Sequence, residues 1–206
     1  FDTWQALGTQ FGHGKRWAKP QLILCISAHW LTQGWWLTAM AQPKTIHDFG
    51  GFPPALFVQQ YPVAGAPEVA QALSEVLQQP DSGKPLGLDT ETWGLDHGAW
   101  GVLKPMFPQA DIPVIQLSMP YENQGADHVA LGRQLLALRE RGVLVVGSGN
   151  VVHNLRTMQR QAADGQAYAW AAAFDGWVAQ RIEARDVEAL QNWASQGQAA
   201  ELSQPT

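Results

Sequence analysis

The chain has 206 residues, of which 46% are hydrophobic and 15% charged, and its formal net charge is −5. This composition is typical of a globular protein, and the lack of any Lys or Arg run argues against nucleic acid or anionic membranes as partners. No apolar stretch approaches the roughly 18 residues of a membrane span. The single cysteine, Cys25, lies in an apolar run, so we expect a buried, inert thiol, no disulfide, no cysteine-based zinc site and a reducing cytoplasm.

The first half of the chain alternates between helix and strand signals. In chain order, the predicted elements are a helix over 1–11, strands over 21–28 and 35–40, and helices over 55–60 and 66–79. The run 21–28 is apolar and bounded by turn residues, which indicates a central strand. We expect the strand over 35–40 to pair with it as a hairpin through Gln33-Gly34. A loop rich in Gly and Pro covers 43–54.

The second half continues the alternation. The predicted elements are a weak strand over 86–89, a helix over 101–107, a strand over 112–118, a helix over 126–141, a strand over 143–147, and helices over 168–185 and 186–193. Pro113 indicates an edge strand or the start of a strand, and 143–147 is the clearest candidate for a buried strand. Together these signals predict one α/β domain over residues 1–206, with a mostly parallel or mixed central sheet flanked by helices.

Four histidines lie where open α/β sheets place their sites, at strand ends and in the loops beyond them. His29 and His153 follow predicted buried strands, whereas His47 and His97 lie in Gly-rich loops. Imidazole is the commonest metal ligand and the side chain that titrates nearest neutral pH. With no cysteine pair, ligands would be nitrogen and oxygen atoms, which favours Zn, Fe or Mn.

The local sequence around each of the four histidines favours a different interpretation. His29 beside Trp30 fits simple packing, and His153 fits a loop residue bonded to the backbone. His47 precedes two glycines that let a ligand approach the backbone, with Asp48 as a possible orienting neighbour. His97 fits either of two roles: an accessible general acid or base, or a structural histidine whose ring is held by Asp96.

Two other site types are excluded by their spacing. Residues 147–150 lack the third glycine of a dinucleotide fingerprint, and Ser148 is one residue short of a nucleophile elbow. The ten tryptophans indicate either bulky core packing or an aromatic-lined pocket.

Four segments together resemble the class III extradiol ring-cleavage dioxygenases, in particular the DOPA dioxygenase-like branch. They cover residues 27–30, 45–53, 95–103 and 148–155, and the likeness runs from about residue 2 to residue 160. The resemblance implies a catechol substrate such as DOPA, molecular oxygen, and one non-haem Fe(II) or Zn(II) ion.

The resemblance also implies roles for individual residues. His47 and His153 match the metal ligands of the family, His97 matches the acid/base histidine, and His29 matches a histidine that lines the catalytic pocket. In the implied mechanism, His97 accepts a proton from the substrate and returns one as the ring opens. Four aromatic residues are expected to line the substrate pocket: Phe49, Phe52, Trp30 and Trp100.

The chain departs from the family pattern at both ends. A Gly-His-Gly-Ser-Pro motif on the family's first strand and a further histidine near its carboxyl end would fall outside residues 1–206. We therefore expect the domain to lack its N-terminal strand and its C-terminal segment, the alternative being an inactive copy. Two other functions stay open, namely a non-catalytic relative that binds aromatic compounds and a metal-dependent hydrolase.

Overall fold

A mixed sheet forms the centre of the computed structural model, which describes residues 2–122, 125–159, 161, 163 and 165–205. In these residues five strands form the sheet in the order β3-β2-β4-β1-β5. They are β1 (Leu22–Thr32), β2 (Trp36–Thr38), β3 (Gly87–Asp89), β4 (Val114–Pro120) and β5 (Val143–Ser148). The β2–β4 pair is antiparallel and the other pairs are parallel. The predicted α/β class with a mostly parallel or mixed sheet is confirmed.

The helices belong to two compact units of the chain, Phe1–Glu122 with Ala130–Gly149 and Asn123–Val129 with Asn150–Thr206. The first unit contains α1 (Asp2–Gly8), α2 (Pro54–Phe57), α3 (Pro67–Val76) and α4 (His97–Met106), and α5 (Gly125–Arg139) begins in the second unit and ends in the first. The second unit also contains α6 (Ala169–Glu183), α7 (Val187–Gln191), a 3-10 turn (Trp193–Gln196) and α8 (Gln198–Ser203). None of the helices in the described part of the chain has the length and apolar character to cross a bilayer.

Alternation along β1 divides the core of the first unit into two layers. Leu22 and Leu24 pack on the face that carries α3 and α5, whereas Ile23 and Cys25 pack on the face that carries α4. This is the two-residue period of a strand buried on both sides. Burial raises the pKa of the Cys25 thiol to about 12, with a smaller contribution from the charge of Asp96. The prediction of a buried thiol is therefore confirmed, and its inertness stays a prediction.

Two of the strand predictions need correction, and for Pro113 one of the two predicted positions is confirmed. The hairpin between the first two strands is wrong, because β4 lies between β1 and β2. The strand after Pro113 begins at Val114 and lies in the middle of the sheet, so Pro113 marks a strand start and not an edge. The strand predicted as the clearest buried one, β5, is an edge strand whose residues are only half-buried or exposed. Apolar composition alone does not show how many neighbours a strand has.

The first strand also extends further than predicted, to Thr32, so His29 and Trp30 lie inside β1 and not after it. The parallel register with β4 breaks between Ile26 and Leu31. A break of this kind lets side chains leave the regular ladder, and such irregularities are common beside functional sites. His29 belongs to this irregular segment.

Candidate functional site

A buried carboxylate, Asp96, organises the polar interior on the α4 side of the sheet. The side chain has no solvent exposure. Its Oδ1 accepts hydrogen bonds from Ser27 Oγ at 2.6 Å and from the Ala99 backbone N–H at 2.9 Å. Its Oδ2 accepts from Trp93 Nε1 at 3.2 Å and from Gln116 Nε2. These bonds tie the start of α4 to β1 and β4, because Ser27 and Gln116 belong to those two strands.

His97 is the first residue of α4, which corrects the prediction of a loop up to residue 100. The helix begins there because Asp96 caps it, accepting from the Ala99 N–H. Gly98 allows the helix to approach β1 closely. A Cβ at that position would lie 2.5 Å from Ser27 Oγ and 2.9 Å from His29 Cδ2. The backbone position of His97 is thus fixed by a capped helix packed on the sheet.

Asp48 lies between two imidazoles, those of His97 and His29. Its Oδ1 is 2.9 Å from His97 Nδ1 and accepts from the His97 backbone N–H at 2.8 Å, while its Oδ2 is 3.3 Å from His29 Nδ1. The centroids of the two imidazole rings are 4.0 Å apart. The contact between His97 Nδ1 and Asp48 Oδ1 is close but lacks the direction of a regular hydrogen bond.

The surroundings of Asp48 favour its ionised form. Burial alone would raise the pKa of Asp48, but the hydrogen bond from the His97 backbone and the close His97 ring outweigh burial and lower the pKa below its ordinary value. The side chains of His29, Asp48 and His97 are 35%, 18% and 30% exposed, so the cluster is accessible from solvent. Within the described residues, these three form the group whose ligand atoms all lie within 4.8 Å of one another, as a metal ion would require.

The segment that carries His47 and Asp48 is attached to the start of α4. The Ile46 N–H donates to Leu95 O at 2.9 Å, and Trp100 Nε1 donates to Ile46 O at 2.9 Å. His47 Nε2 lies 2.9 Å from the carbonyl oxygen of Gln59. A carbonyl oxygen only accepts, so Nε2 carries the proton in this contact and Nδ1 is the atom with the lone pair. His47 lies in a loop, as predicted, outside the three-residue cluster.

Aromatic rings surround Phe49 on the same segment. Its centroid lies 5.2 Å from the ring of His97, 5.8 Å from that of His47 and 6.2 Å from that of Trp100. Phe52 contacts Phe49 edge to face at 5.3 Å and is about half exposed. Three of the four aromatic residues predicted for the pocket are therefore together, beside two of the predicted histidines.

The fourth aromatic residue, Trp30, is located differently. It stacks on Trp93 with centroids 6.0 Å apart and planes inclined by 6°. It lines a separate cavity of about 340 Å³ together with Trp36, Asp89 and Glu91. Trp93, on which Trp30 stacks, donates its Nε1 proton to Asp96.

His153 belongs to the second unit, where it is exposed and lines an open cavity of about 600 Å³ together with Met158, Tyr168 and Trp170. Its backbone N–H donates to Ser203 O at 2.8 Å. His47 belongs to the first unit. A single ion shared by His47 and His153 stays a prediction.

Ser27 and Gln116 were not identified from the sequence, and Asp96 was named only as a possible partner of the His97 ring, although signals for their roles exist. Ser27 and Gln116 interrupt apolar strands, and a polar side chain in such a strand needs a buried partner. Asp96 precedes a run with helical spacing, which is the pattern of an N-cap. The pairing of Asp48 with His97 has no local signal, because the two residues are far apart in the chain.

Comparison with known proteins gives consistent matches. The family model described as the catalytic LigB subunit of aromatic ring-opening dioxygenase matches residues 9–204. The "4,5-DOPA dioxygenase extradiol" of Escherichia coli K12 is 48% identical over 176 residues, covering 85% of this chain and 61% of the relative. The protein of the same name from Beta vulgaris is 38% identical over 188 residues, covering 91% of this chain and 68% of the relative.

A solved structure agrees with these matches. The crystal structure of an uncharacterized protein from Escherichia coli K12 superposes with a TM-score of 0.78 at 39% identity, covering 99% of this chain and 75% of that chain. The chain spans less than two thirds of the length of its Escherichia coli relative. The resemblance to the class III extradiol dioxygenases is confirmed.

Proposed function

The chain belongs to the family of the catalytic LigB subunit of aromatic ring-opening dioxygenases, and from that premise we propose that the protein opens the ring of a catechol such as DOPA with molecular oxygen. The observation that carries the proposal is the juxtaposition of His97, His29 and Asp48 with the ring of Phe49. Acid–base groups beside aromatic surface suit a flat phenolic substrate. The names of the relatives support the catechol class.

We propose His47 and His153 as ligands of one non-haem Fe(II) or Zn(II) ion. The contact of His47 Nε2 with Gln59 O fits this role, because a metal-binding imidazole usually donates its other ring N–H to a carbonyl or carboxylate. Nitrogen donors suit both metals. When bound, the metal would make the catechol hydroxyls more acidic and bring oxygen to the ring.

Residues of the chain itself transfer the protons and position the aromatic ring of the substrate. His97 accepts a proton from a substrate hydroxyl and returns one as the ring opens, a task suited to a neutral imidazole at a capped helix start. His29 lines the same site. Phe49, Phe52 and Trp100 hold the substrate ring by apolar contact. A place for Trp30 in the substrate pocket stays a prediction, since Trp30 stacks on Trp93 instead.

The test is oxygen consumption by the full-length, Fe(II)-loaded protein with DOPA, caffeate and related catechols. We expect uptake of one O2 for each catechol consumed. No consumption with any catechol would contradict the proposal and favour a relative that only binds aromatic compounds. Turnover supported by Zn(II) without oxygen uptake would indicate a hydrolase instead. The cytoplasmic location stays a prediction that rests on the single reduced cysteine.

A further inference from the structure

One carboxylate contacts two imidazoles at the candidate site. Asp48 reaches His97 through Oδ1 and His29 through Oδ2, and in both cases it meets the Nδ1 atom of the ring. An ionised carboxylate only accepts hydrogen bonds, so a nearby Nδ1 is stable there when it carries a proton. A neutral imidazole with its proton on Nδ1 has its lone pair on Nε2. The nearby carboxylate oxygens therefore favour the same tautomer in both rings.

The two oxygens of Asp48 are not equivalent. Oδ1 also accepts the backbone N–H of His97 at 2.8 Å, which fixes the carboxylate relative to the start of α4. In proteins, a carboxylate that contacts the Nδ1 atom of a functional histidine sets the orientation and the tautomer of its ring.

We propose that Asp48 is a positioning residue that holds His97 and His29 in the Nδ1–H tautomer, with Nε2 as the proton-accepting atom. This inference rests on the proposed function for its catalytic consequence, because His97 needs a lone pair on Nε2 to accept a substrate proton. The sequence alone indicated Asp48 as a neighbour of His47. The structure assigns it to the other two histidines.

The substitution Asp48→Asn gives an asymmetric result that a general structural role would not produce. The amide oxygen must stay toward His97, because the backbone N–H of His97 needs an acceptor. The amide NH₂ then faces His29 Nδ1, which has to become an acceptor. We therefore expect His29 to change to the Nε2–H tautomer while His97 keeps its proton on Nδ1.

The experiment is ¹⁵N NMR of the imidazoles in the full-length, metal-free protein, comparing wild type with Asp48→Asn and Asp48→Ala. We expect the Nδ1–H pattern for both rings in the wild type, a change confined to His29 in D48N, and loss of the single tautomer at both rings in D48A. The matched control is Asp111→Asn, which removes an exposed carboxylate paired with Lys19 and should change neither ring. Wild-type rings with the proton on Nε2 would overturn the proposal.

Kinetics and metal titration complete the test. In the Fe(II)-loaded enzyme we expect D48N to lower kcat by roughly 10–100-fold, as for other residues that orient a working histidine, with KM nearly unchanged. Zn²⁺ added to the metal-free protein should leave both Nδ1 protons in place. Their displacement by Zn²⁺ in wild type but not in D48N would make Asp48 a ligand and refute the positioning role. If no catechol is oxidised but the tautomers respond as expected, the proposed function fails and the positioning stands.

Discussion

Removing the buried carboxylate of Asp96 should destabilise the protein more than most single substitutions. In Asp96→Ala the helix cap is lost, at about 1 kcal/mol. The buried donors of Ser27 and Gln116 and the half-buried donor of Trp93 lose their acceptor, at about 1–3 kcal/mol for each one that finds no new partner. Some of these donors will find water or shift, so we expect the free energy of unfolding to fall by about 4 kcal/mol.

Asp96→Asn should lower the free energy of unfolding less than Asp96→Ala, because the amide can keep part of the hydrogen bonding. Its amide oxygen can keep the bonds from Ser27 and Ala99, and its NH₂ then faces the donors of Trp93 and Gln116. The side-chain amide of Gln116 can flip so that its Oε1 accepts from this NH₂ group, because Oε1 is buried without a hydrogen-bond partner in the described structure. One half-buried donor, Trp93 Nε1, then loses its acceptor, which costs at most roughly 2 kcal/mol.

The assay is urea unfolding of the full-length, metal-free protein with linear extrapolation to water. Asp111→Asn is the control, since it breaks an exposed ion pair with Lys19 and should change the unfolding free energy by less than about 1 kcal/mol. An Asp96→Ala protein within about 1 kcal/mol of wild type would refute the reasoning, because buried donors would then tolerate the loss of their acceptor.

Three further predictions concern single positions. Gly98→Ala should lower the free energy of unfolding by about 1–3 kcal/mol, because its Cβ would clash with Ser27 and His29; Gly101→Ala in the same helix, with open space around it, should be neutral or stabilising by urea unfolding. Cys25, with its raised pKa of about 12, should not react with a thiol reagent at pH 8 until the protein is unfolded, and rapid native labelling would contradict its burial. His97→Phe should keep the metal content and slow ring opening by roughly 10²–10⁴-fold, whereas loss of metal in that variant would reassign His97 as a ligand.

The sequence predicted the class of the fold because hydrophobic periodicity reports burial along one element at a time. It could not show that β4 separates β1 from β2, because strand order depends on pairing between distant segments. The boundary of α4 was missed for a local reason. Two glycines at its start weaken the helix signal, and the cap by Asp96 and the contact of Gly98 with β1 compensate for them.

The candidate site was predictable in its residue types but not in its pairings. His29, His47 and His97 were identified from their segments, and three of the four aromatic residues lie together around Phe49. The role of Asp48 depends on contacts with His97 and His29, which lie in other parts of the chain. Contacts of that kind come from the tertiary fold, and no short-range pattern encodes them.

The central claim is that the protein inserts oxygen into a catechol ring, and the most direct measurement is mass spectrometry of the product. The full-length, Fe(II)-loaded protein is incubated with DOPA under O2, beside the His97→Phe variant. The account predicts a ring-opened product with the mass of DOPA plus one O2, or that mass less one water after its aldehyde condenses with its amine. A quinone with no added oxygen, or unchanged DOPA from an enzyme with full metal content, would contradict it.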